Sequence, residues 1–206
     1  MIDTSDVTRP RGEYASALTP GISSGRLVFE RGSANDLVLV DLDMAELFLG
    51  RFDGAVPRVE VAGGTVHIRH ARARCNRGRI ALNGHVPWSI ELRGGASRLR
   101  AELAEASVSE IVVGGGASHI DLHLPAPTRR VPIRFAGGVS HVSVLRPKGV
   151  PVRLSLAGGA ARIALDCQRF AAVGGPVELC SGDPDAPASY DIQIGGGAHA
   201  LVVSTY

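Results

Sequence analysis

The chain has 206 residues, of which 45% are apolar, and its 22 basic and 20 acidic side chains give a formal net charge of +2. This length and apolar content suit one domain with its own hydrophobic core. A nearly balanced charge provides no electrostatic basis for binding nucleic acid or an anionic membrane, and no run of residues approaches a membrane span. We therefore expect neither a nucleic-acid partner nor a membrane span.

Residues 1–25 mix Pro, Gly, Ser, Thr and charged side chains without periodicity, which predicts a flexible N-terminal arm before a single domain at 26–206. The arm lacks the apolar core of a signal peptide. The three cysteines, Cys75, Cys167 and Cys180, show no C-x-x-C spacing, which favours reduced thiols. We expect the protein to be cytoplasmic.

Two strand-like runs, Arg26–Glu30 and Asp36–Leu42, open the domain. The segment 43–52 differs, because Asp43 is a suitable N-cap and the apolar residues that follow recur at helical spacing. These residues are Met44, Leu47, Phe48 and Phe52. The pattern predicts a short helix that caps the N-terminal end of the core, where open strand edges would otherwise pair with another molecule.

The centre of the chain repeats one unit, in which a strand, a Gly-Gly pair, one or two small residues and a second strand follow one another. The first glycines are Gly94, Gly115, Gly137 and Gly158, at steps of 21, 22 and 21 residues. A fixed period of this size is typical of a solenoid. Val59–Ile68, with its own Gly-Gly pair, is interpreted as a degenerate first copy. A basic loop at 70–79 follows it, as either a solvated excursion or a contact for an anion or a partner.

Apolar residues alternate on both sides of each Gly-Gly pair, at positions four and two before the first glycine and five and seven after it. They are Ile90, Leu92, Leu99, Ala101, Ile111, Val113, Ile120, Leu122, Ile133, Phe135, Val142, Val144, Leu154, Leu156, Ile163 and Leu165. Each unit thus offers two short strands with one apolar face each. The change from even to odd positions requires a bend or bulge at the Gly-Gly-x-Ser segment.

One unit cannot fold alone. Burying four aliphatic side chains yields at most about 12 kcal/mol, whereas ordering 21 residues costs about 20 kcal/mol or more. Stacked units share strand pairing and a continuous core. The sequence therefore predicts an all-β, right-handed parallel β-solenoid of about six coils with a period of 21–22 residues. After Asp166 the period breaks. A last copy at 190–203 is expected to close the stack, with a polar loop at 181–189 folded over its C-terminal end.

The repeated strand, Gly-Gly-small-Ser and strand of residues 57–204 resembles the bacterial putative-adhesin domains, also called toastrack-like domains. The resemblance implies a short single-domain β-solenoid that serves as a surface for assembly or interaction. It brings no shared catalytic residues.

Outward positions of two neighbouring units bring together His119, Asp121, His123 and His141. Adjacent strands lie about 4.8 Å apart and alternate residues about 7 Å apart, so these side chains are candidates for a zinc site with an open position that activates water. Ordinary cross-strand pairs are the alternative, with Arg100 opposite Asp121 and Glu102 opposite His123.

No catalytic residue and no cofactor other than this zinc ion is predicted. Ser97, Ser118 and Ser140 recur at one corner, which favours hydrogen bonds over nucleophilic catalysis. The function predicted is a non-enzymatic cytoplasmic scaffold or protein-interaction module that binds a protein partner or associates with itself. The alternative is a metal-dependent or small-molecule-handling enzyme that uses the histidine and aspartate cluster.

Overall fold

The structure is a computed structural model that describes residues 12–30, 34–54, 56–69 and 77–206. Within these ranges the regular elements are all β-strands, which confirms the all-β prediction. The first nine are β1 (Glu13–Ala17), β2 (Gly25–Phe29), β3 (Ala34–Leu42), β4 (Glu46–Asp53), β5 (Arg58–Ala62), β6 (Thr65–Arg69), β7 (Arg77–Asn83), β8 (Pro87–Leu92) and β9 (Ala96–Glu102). The others are β10 (Ser107–Val113), β11 (Ala117–His123), β12 (Val131–Phe135), β13 (Val139–Arg146), β14 (Val152–Leu156), β15 (Ala160–Leu165), β16 (Gln168–Val173), β17 (Val177–Ser181), β18 (Tyr190–Ile194) and β19 (Ala198–Thr205).

The described strands form two sheets. Sheet A has ten strands in the order β1-β4-β7-β3-β9-β11-β13-β19-β15-β16, and sheet B has nine in the order β17-β14-β18-β12-β10-β8-β2-β6-β5. We call one strand of sheet B together with the following strand of sheet A a rung. Across the described ranges, seven rungs stack with parallel pairing in the order β6–β7, β2–β3, β8–β9, β10–β11, β12–β13, β18–β19 and β14–β15.

The sixteen residues predicted to be interior are all at most 2% exposed. They form ladders across the rungs, since Ile111 is in register with Ile90 and Ile133 in sheet B. In sheet A, Ile120 is in register with Leu99 and Val142. Both ladders belong to one hydrophobic cluster that fills the space between the sheets. The right-handed winding predicted for the solenoid stays a prediction.

The order of the rungs corrects the prediction that the last copy closes the stack. β18–β19 lies between β12–β13 and β14–β15, so that Tyr190 is in register with both Val131 and Val152. The Tyr190 hydroxyl donates a hydrogen bond of 2.7 Å to the Pro125 carbonyl oxygen in the buried interior. β2–β3 is inserted in the same way between β6–β7 and β8–β9. Matching apolar ladders decide which strands are neighbours, whereas chain order does not.

The bend predicted at the corners lies one residue after the small-Ser segment and uses residues other than glycine. Residues with a left-handed φ of 52–56° occupy one position in each of six described rungs. They are Asp36, Arg98, His119, His141, Arg162 and Ala200. The pairing register skips them, because Ser118 opposes Ser140 and the next pair is Ile120 with Val142. Each is a bulge that reverses which alternate residues face the core.

The corner glycines are required for the close approach of neighbouring rungs. A Cβ on Gly137 would lie 2.8 Å from the backbone nitrogen of Gly116, and one on Gly158 would lie 2.9 Å from the carbonyl carbon of Gly196. Backbone hydrogen bonds join the same corners, with Gly137 N–H donating to the Gly115 carbonyl at 3.2 Å. Glycine at these positions therefore keeps the rungs at hydrogen-bonding distance.

The predicted helix at 43–52 is wrong, since residues Glu46–Asp53 form strand β4, which pairs antiparallel with β7 and β1. A spacing of four residues fits a helical face, but it is also an even number and so fits one face of a strand. Phe48 and Phe52 are 0% and 4% exposed, and their rings fold over Gly50. The aromatic pair covers the N-terminal end of the core, but it does so from strand β4 and not from a helix.

The interpretation of Val59–Ile68 as a first repeat is also wrong. β5 and β6 form an antiparallel hairpin within sheet B, and its turn residues Gly63 and Gly64 have φ of 54° and 80°. Two successive positive φ values are typical of a two-residue hairpin turn.

Part of the predicted N-terminal arm forms strand β1 on the edge of sheet A. Residues 1–11 of the arm and 70–76 of the basic loop, with Cys75, lie outside the described residues.

One interior ladder contains an arginine. The residue nine after the first corner glycine is Leu103, then Leu124, then Arg146. Arg146 is 1% exposed, and its Nη2 donates to Asp166 Oδ2 at 2.6 Å, where the Ser181 hydroxyl also donates. The Asp166 side chain is 22% exposed, so removing one partner should cost less than the value of about 3–5 kcal/mol for a fully buried pair. The pair therefore ties the end of β13 to the β15–β16 turn and to β17.

We expect Gly137→Ala to lower the free energy of unfolding by about 1–3 kcal/mol, because backbone atoms of the next rung leave no room for Cβ. Gly174→Ala is the matched control, since no atom lies within 4 Å of its Cβ position, and it should change stability by less than about 0.5 kcal/mol. Urea unfolding followed by circular dichroism measures both. Equal stability of the two variants would contradict the role of the corners.

Candidate functional site

The outer face of sheet A presents a row of histidines, of which His119 and His141 occupy bulges and His199 precedes one. The rings of His119 and His141 stack in parallel, with centroids 4.9 Å apart and planes 4° apart. His199 continues the row on β19, with its ring 5.6 Å from that of His141 at an angle of 67°. We call these three residues the histidine ladder. It crosses three consecutive rungs because each histidine comes from a neighbouring strand of the sheet.

Guanidinium groups border the histidine ladder at both ends. Arg162 Nη2 donates a hydrogen bond to His199 Nε2, which fixes that nitrogen as an acceptor in this arrangement. At the other end Arg98 forms a two-point pair with Asp36, with Nη2 to Oδ2 at 2.9 Å. His119, His141 and Arg162 are exposed, as is His199. The row is therefore an open array of nitrogen groups in contact with one another.

Of the four residues predicted to bind zinc, the structure brings His119 and His141 into contact and gives the others different surroundings. His123 Nδ1 lies 3.0 Å from Glu102 Oε2, and the His123 ring meets the edge of Tyr206 at 4.5 Å. Asp121 is exposed and in register with Arg100 and Ser143. The predicted cross-strand alternative is therefore present for Glu102 and His123.

Sequence reasoning missed His199 as a member of the row. It occupies the position of Ser118 and Ser140 in the last repeat, so aligning that repeat would have placed it one residue before the bulge. Over the described ranges, no group of three or more His, Cys, Asp or Glu side chains is arranged to hold a metal ion.

The N-terminal half of sheet B carries a network of ion pairs on its outer face, centred on Glu30. His67 Nδ1 and Arg93 Nη1 each lie 2.6 Å from a Glu30 oxygen, and Arg69 lies 3.9 Å away. The hydrogen bond with His67, with the charges of Arg93 and Arg69, lowers the pKa of Glu30 below its ordinary value. Arg93 also pairs with Glu91 at 2.9 Å. The network joins β2, β6 and β8.

The C-terminal half of sheet B has a shallow groove of about 520 Å³ on its outer side. Small residues at the corners, Ala136, Ala157 and Gly195, leave this space, and Arg134 and Gln193 lie beside it. A second depression of about 370 Å³ is bordered by acidic residues and His85, which pairs with Asp43 at 2.9 Å. Both depressions are wide open to solvent.

Residues 57–145 match the family Toast_rack_N, described as the N-terminal domain of toast_rack, DUF2154. The fold is similar to the crystal structure of a putative cell adhesion protein from Clostridium sporogenes, with a TM-score of 0.63 and 18% sequence identity. The matched region covers 94% of this chain and 99% of the Clostridium chain. At this identity the likeness establishes a common fold. No curated protein matches the chain. Among the described residues, no helix is long and apolar enough to cross a membrane.

Because Glu30 and Glu102 have lowered pKa values, we expect the protein to lose stability in acid. Arg100 and His123 lower the pKa of Glu102, as His67 and the arginines do for Glu30. A carboxyl group with a lower pKa in the folded state stabilises the fold above its unfolded pKa, and this contribution is lost as pH falls through the folded pKa. We expect the melting temperature to fall below about pH 4.5.

Glu30→Gln tests this explanation. It should unfold at a lower temperature than the wild type at neutral pH, and the difference should shrink as the pH falls below the ordinary glutamate pKa and the wild-type carboxylate becomes protonated. Asp53→Asn, at an exposed position at the end of β4, is the control. A constant difference between Glu30→Gln and the wild type from pH 7 to pH 3 would contradict it.

Proposed function

We propose that the chain, which is similar to toastrack-like putative-adhesin domains over residues 57–145, is a non-enzymatic protein-interaction module. The observation that carries the proposal is the histidine ladder. Three stacked rungs hold its rings in a fixed row on an open sheet face, with Arg162 at one end. Side chains that already contact one another lose less side-chain entropy on binding, which favours affinity.

The partner that fits this row is a protein segment that presents carboxylates. Imidazole N–H groups and the Arg162 guanidinium donate hydrogen bonds to such groups at regular intervals along the stack. Strand pairing in sheet A keeps the rings on neighbouring strands, with centroids 4.9 and 5.6 Å apart. The solenoid winding of the rungs belongs to the same proposal, because stacked rungs present long regular surfaces.

We propose a cytoplasmic location for this scaffold. Cys167 and Cys180 are free thiols within the described chain, and Cys167 is exposed. Thiols in this state suit a reducing compartment. Fractionation of the native host cell, followed by immunodetection of the untagged protein, distinguishes a cytoplasmic from an exported location.

The interaction proposal predicts selective loss of binding. Wild-type protein and the triple variant His119→Asn, His141→Asn and His199→Asn are immobilised and exposed to native host lysate. Asparagine is chosen because it tolerates the left-handed backbone of the bulges. We expect the variant to lose a partner that a control with Val112→Asn, Ser155→Asn and Gln193→Asn on sheet B retains. A partner profile that is the same for all three proteins would contradict the ladder as the binding site.

The zinc alternative predicts a different result. Stacking of His119 on His141 and pairing of His123 with Glu102 favour side-chain contacts over metal ligation. We expect protein purified without a histidine tag to contain no stoichiometric zinc by inductively coupled plasma mass spectrometry. One zinc per chain that is lost in His119→Ala and His141→Ala would instead support the metal-dependent enzyme.

A further inference from the structure

The two ends of the stack are closed differently. At the N-terminal end β1, β4 and β5 add three antiparallel strands, and Tyr14, Leu18, Ile22 and Val59 pack against the core there. At the C-terminal end β16 pairs with β15, and β17 pairs with β14. Within the described ranges, β16 and β17 are the last strands of their sheets. Their outer edges present backbone groups that can pair with another strand.

The core at the C-terminal end is only partly covered. Phe170, Val177 and Leu179 face the interior of the last rung, and each remains partly exposed although it packs against the core. At the opposite end Tyr14 and Val59 on the outermost strands are partly exposed too, but there they cover the fully buried Phe48. A surface formed by core residues of an end rung gains stability when another apolar surface covers it.

The polar loop that could cover this end lies elsewhere. The Pro184 carbonyl accepts hydrogen bonds from Arg130 at 2.9 Å and Arg153 at 3.3 Å, which hold the loop beside sheet B. The edge strand β16 exposes Ala171 and Ala172 and carries one charged side chain, Arg169. Edge strands that avoid pairing usually carry more charge, a proline or a bulge towards the edge.

We propose that the C-terminal ends of two copies of this chain pair, with β16 of each copy beside β17 of the other. The partner of the interaction module in this pairing is a second copy of the chain, and the inference rests on the proposed function. β16 runs towards the 174–176 corner, and β17 runs away from it. A two-fold axis along the strand direction therefore places β16 antiparallel to β17 of the second copy in both sheets at once.

Charge and shape favour this arrangement. Arg169 on β16 and Glu178 on β17 are exposed and opposite in sign, and the axis places each diagonally across from the other in the second copy. Glu178 also lies 3.4 Å from Arg153 of its own chain. The bulky Phe170 meets the smaller Val177 and Leu179 of the second copy. The other two-fold axis, with β16 beside β16, would oppose Phe170 to Phe170 and would not place Arg169 beside Glu178 of the second copy, which is less favourable.

The size of the end surface sets the expected strength. Strands of five or six residues are about 20 Å long, the sheets lie about 10 Å apart, and side chains on the two outer faces add about 5 Å on each side. The end therefore measures about 20 Å by 20 Å, and each copy would bury about 400 Å². A total near 800 Å² is typical of weak, reversible interfaces. We therefore expect a dimer that forms at concentrations of tens to hundreds of micromolar rather than a permanent one.

Sedimentation velocity of the full chain from about 5 to about 500 µM tests the proposal. We expect wild-type protein to shift from monomer to dimer, and Arg169→Glu and Glu178→Lys each to weaken the dimer at least tenfold, because each places like charges together. An equimolar mixture of the two variants should dimerise again, since both of its charge pairs are then restored with opposite signs. Arg58→Glu on β5, at the other end, is the matched control and should behave as wild type.

A wild-type protein that stays monomeric at about 500 µM overturns the dimer, as does a mixture no more dimeric than its components. Thermal melting of each variant shows whether it is folded, and restoration in the mixture cannot come from unfolded chains. These outcomes are distinct from failure of the proposed function. The histidine ladder lies away from the end strands, so a partner lost with the ladder variant but kept with Arg169→Glu supports the module without the dimer.

Discussion

The structure depends on parallel backbone pairing between rungs that approach closely at glycine corners. A rung by itself buries too few aliphatic side chains to offset its conformational entropy. Pairing with neighbours on both sides provides the hydrogen bonds and the shared core. Gly137 and Gly158 illustrate the constraint, since the backbone of the next rung occupies the space that a Cβ would need. The corners thus set the spacing from which the ladders on both faces follow.

The same repetition produces both a core and a display surface. A bulge after each corner shifts the alternation, so that Leu99, Ile120 and Val142 face inward directly after a residue with left-handed backbone. Holding a residue other than glycine there costs about 1 kcal/mol or more. The side chain at the bulge is then directed outward at the same place on successive rungs. His119 and His141 stack for this reason, and the protein gains an ordered row of functional groups without an enclosed cavity.

The ends of the stack require separate solutions, because every stack of strands has two open edges. The N-terminal end adds a strand with Phe48 and Phe52 and a hairpin that turns at Gly63 and Gly64. The C-terminal end reverses the chain into β16 and β17 and secures the reversal with the buried pair of Arg146 and Asp166. Burying an arginine in a column of leucines carries a desolvation penalty, and the hydrogen bond with Asp166 offsets part of it. The pair therefore holds the end of the stack in place. The remaining edges are where an interaction module can extend.

The sequence by itself determined the all-β class, the repeat, its corners and the interior residues, because a period of 21–22 residues and strict alternation leave few arrangements that bury Ile111 and Ile120 together. It also pointed to His119 and His141, since equal positions in successive repeats must be neighbours. The strand at 46–53, the hairpin at Gly63–Gly64 and the insertion of β18–β19 were decided only by tertiary structure. A spacing of four fits a helix and a strand equally, and a Gly-Gly pair fits a corner and a hairpin. Which rung lies beside which depends on side-chain fit between segments far apart in the chain, and local patterns do not record that fit.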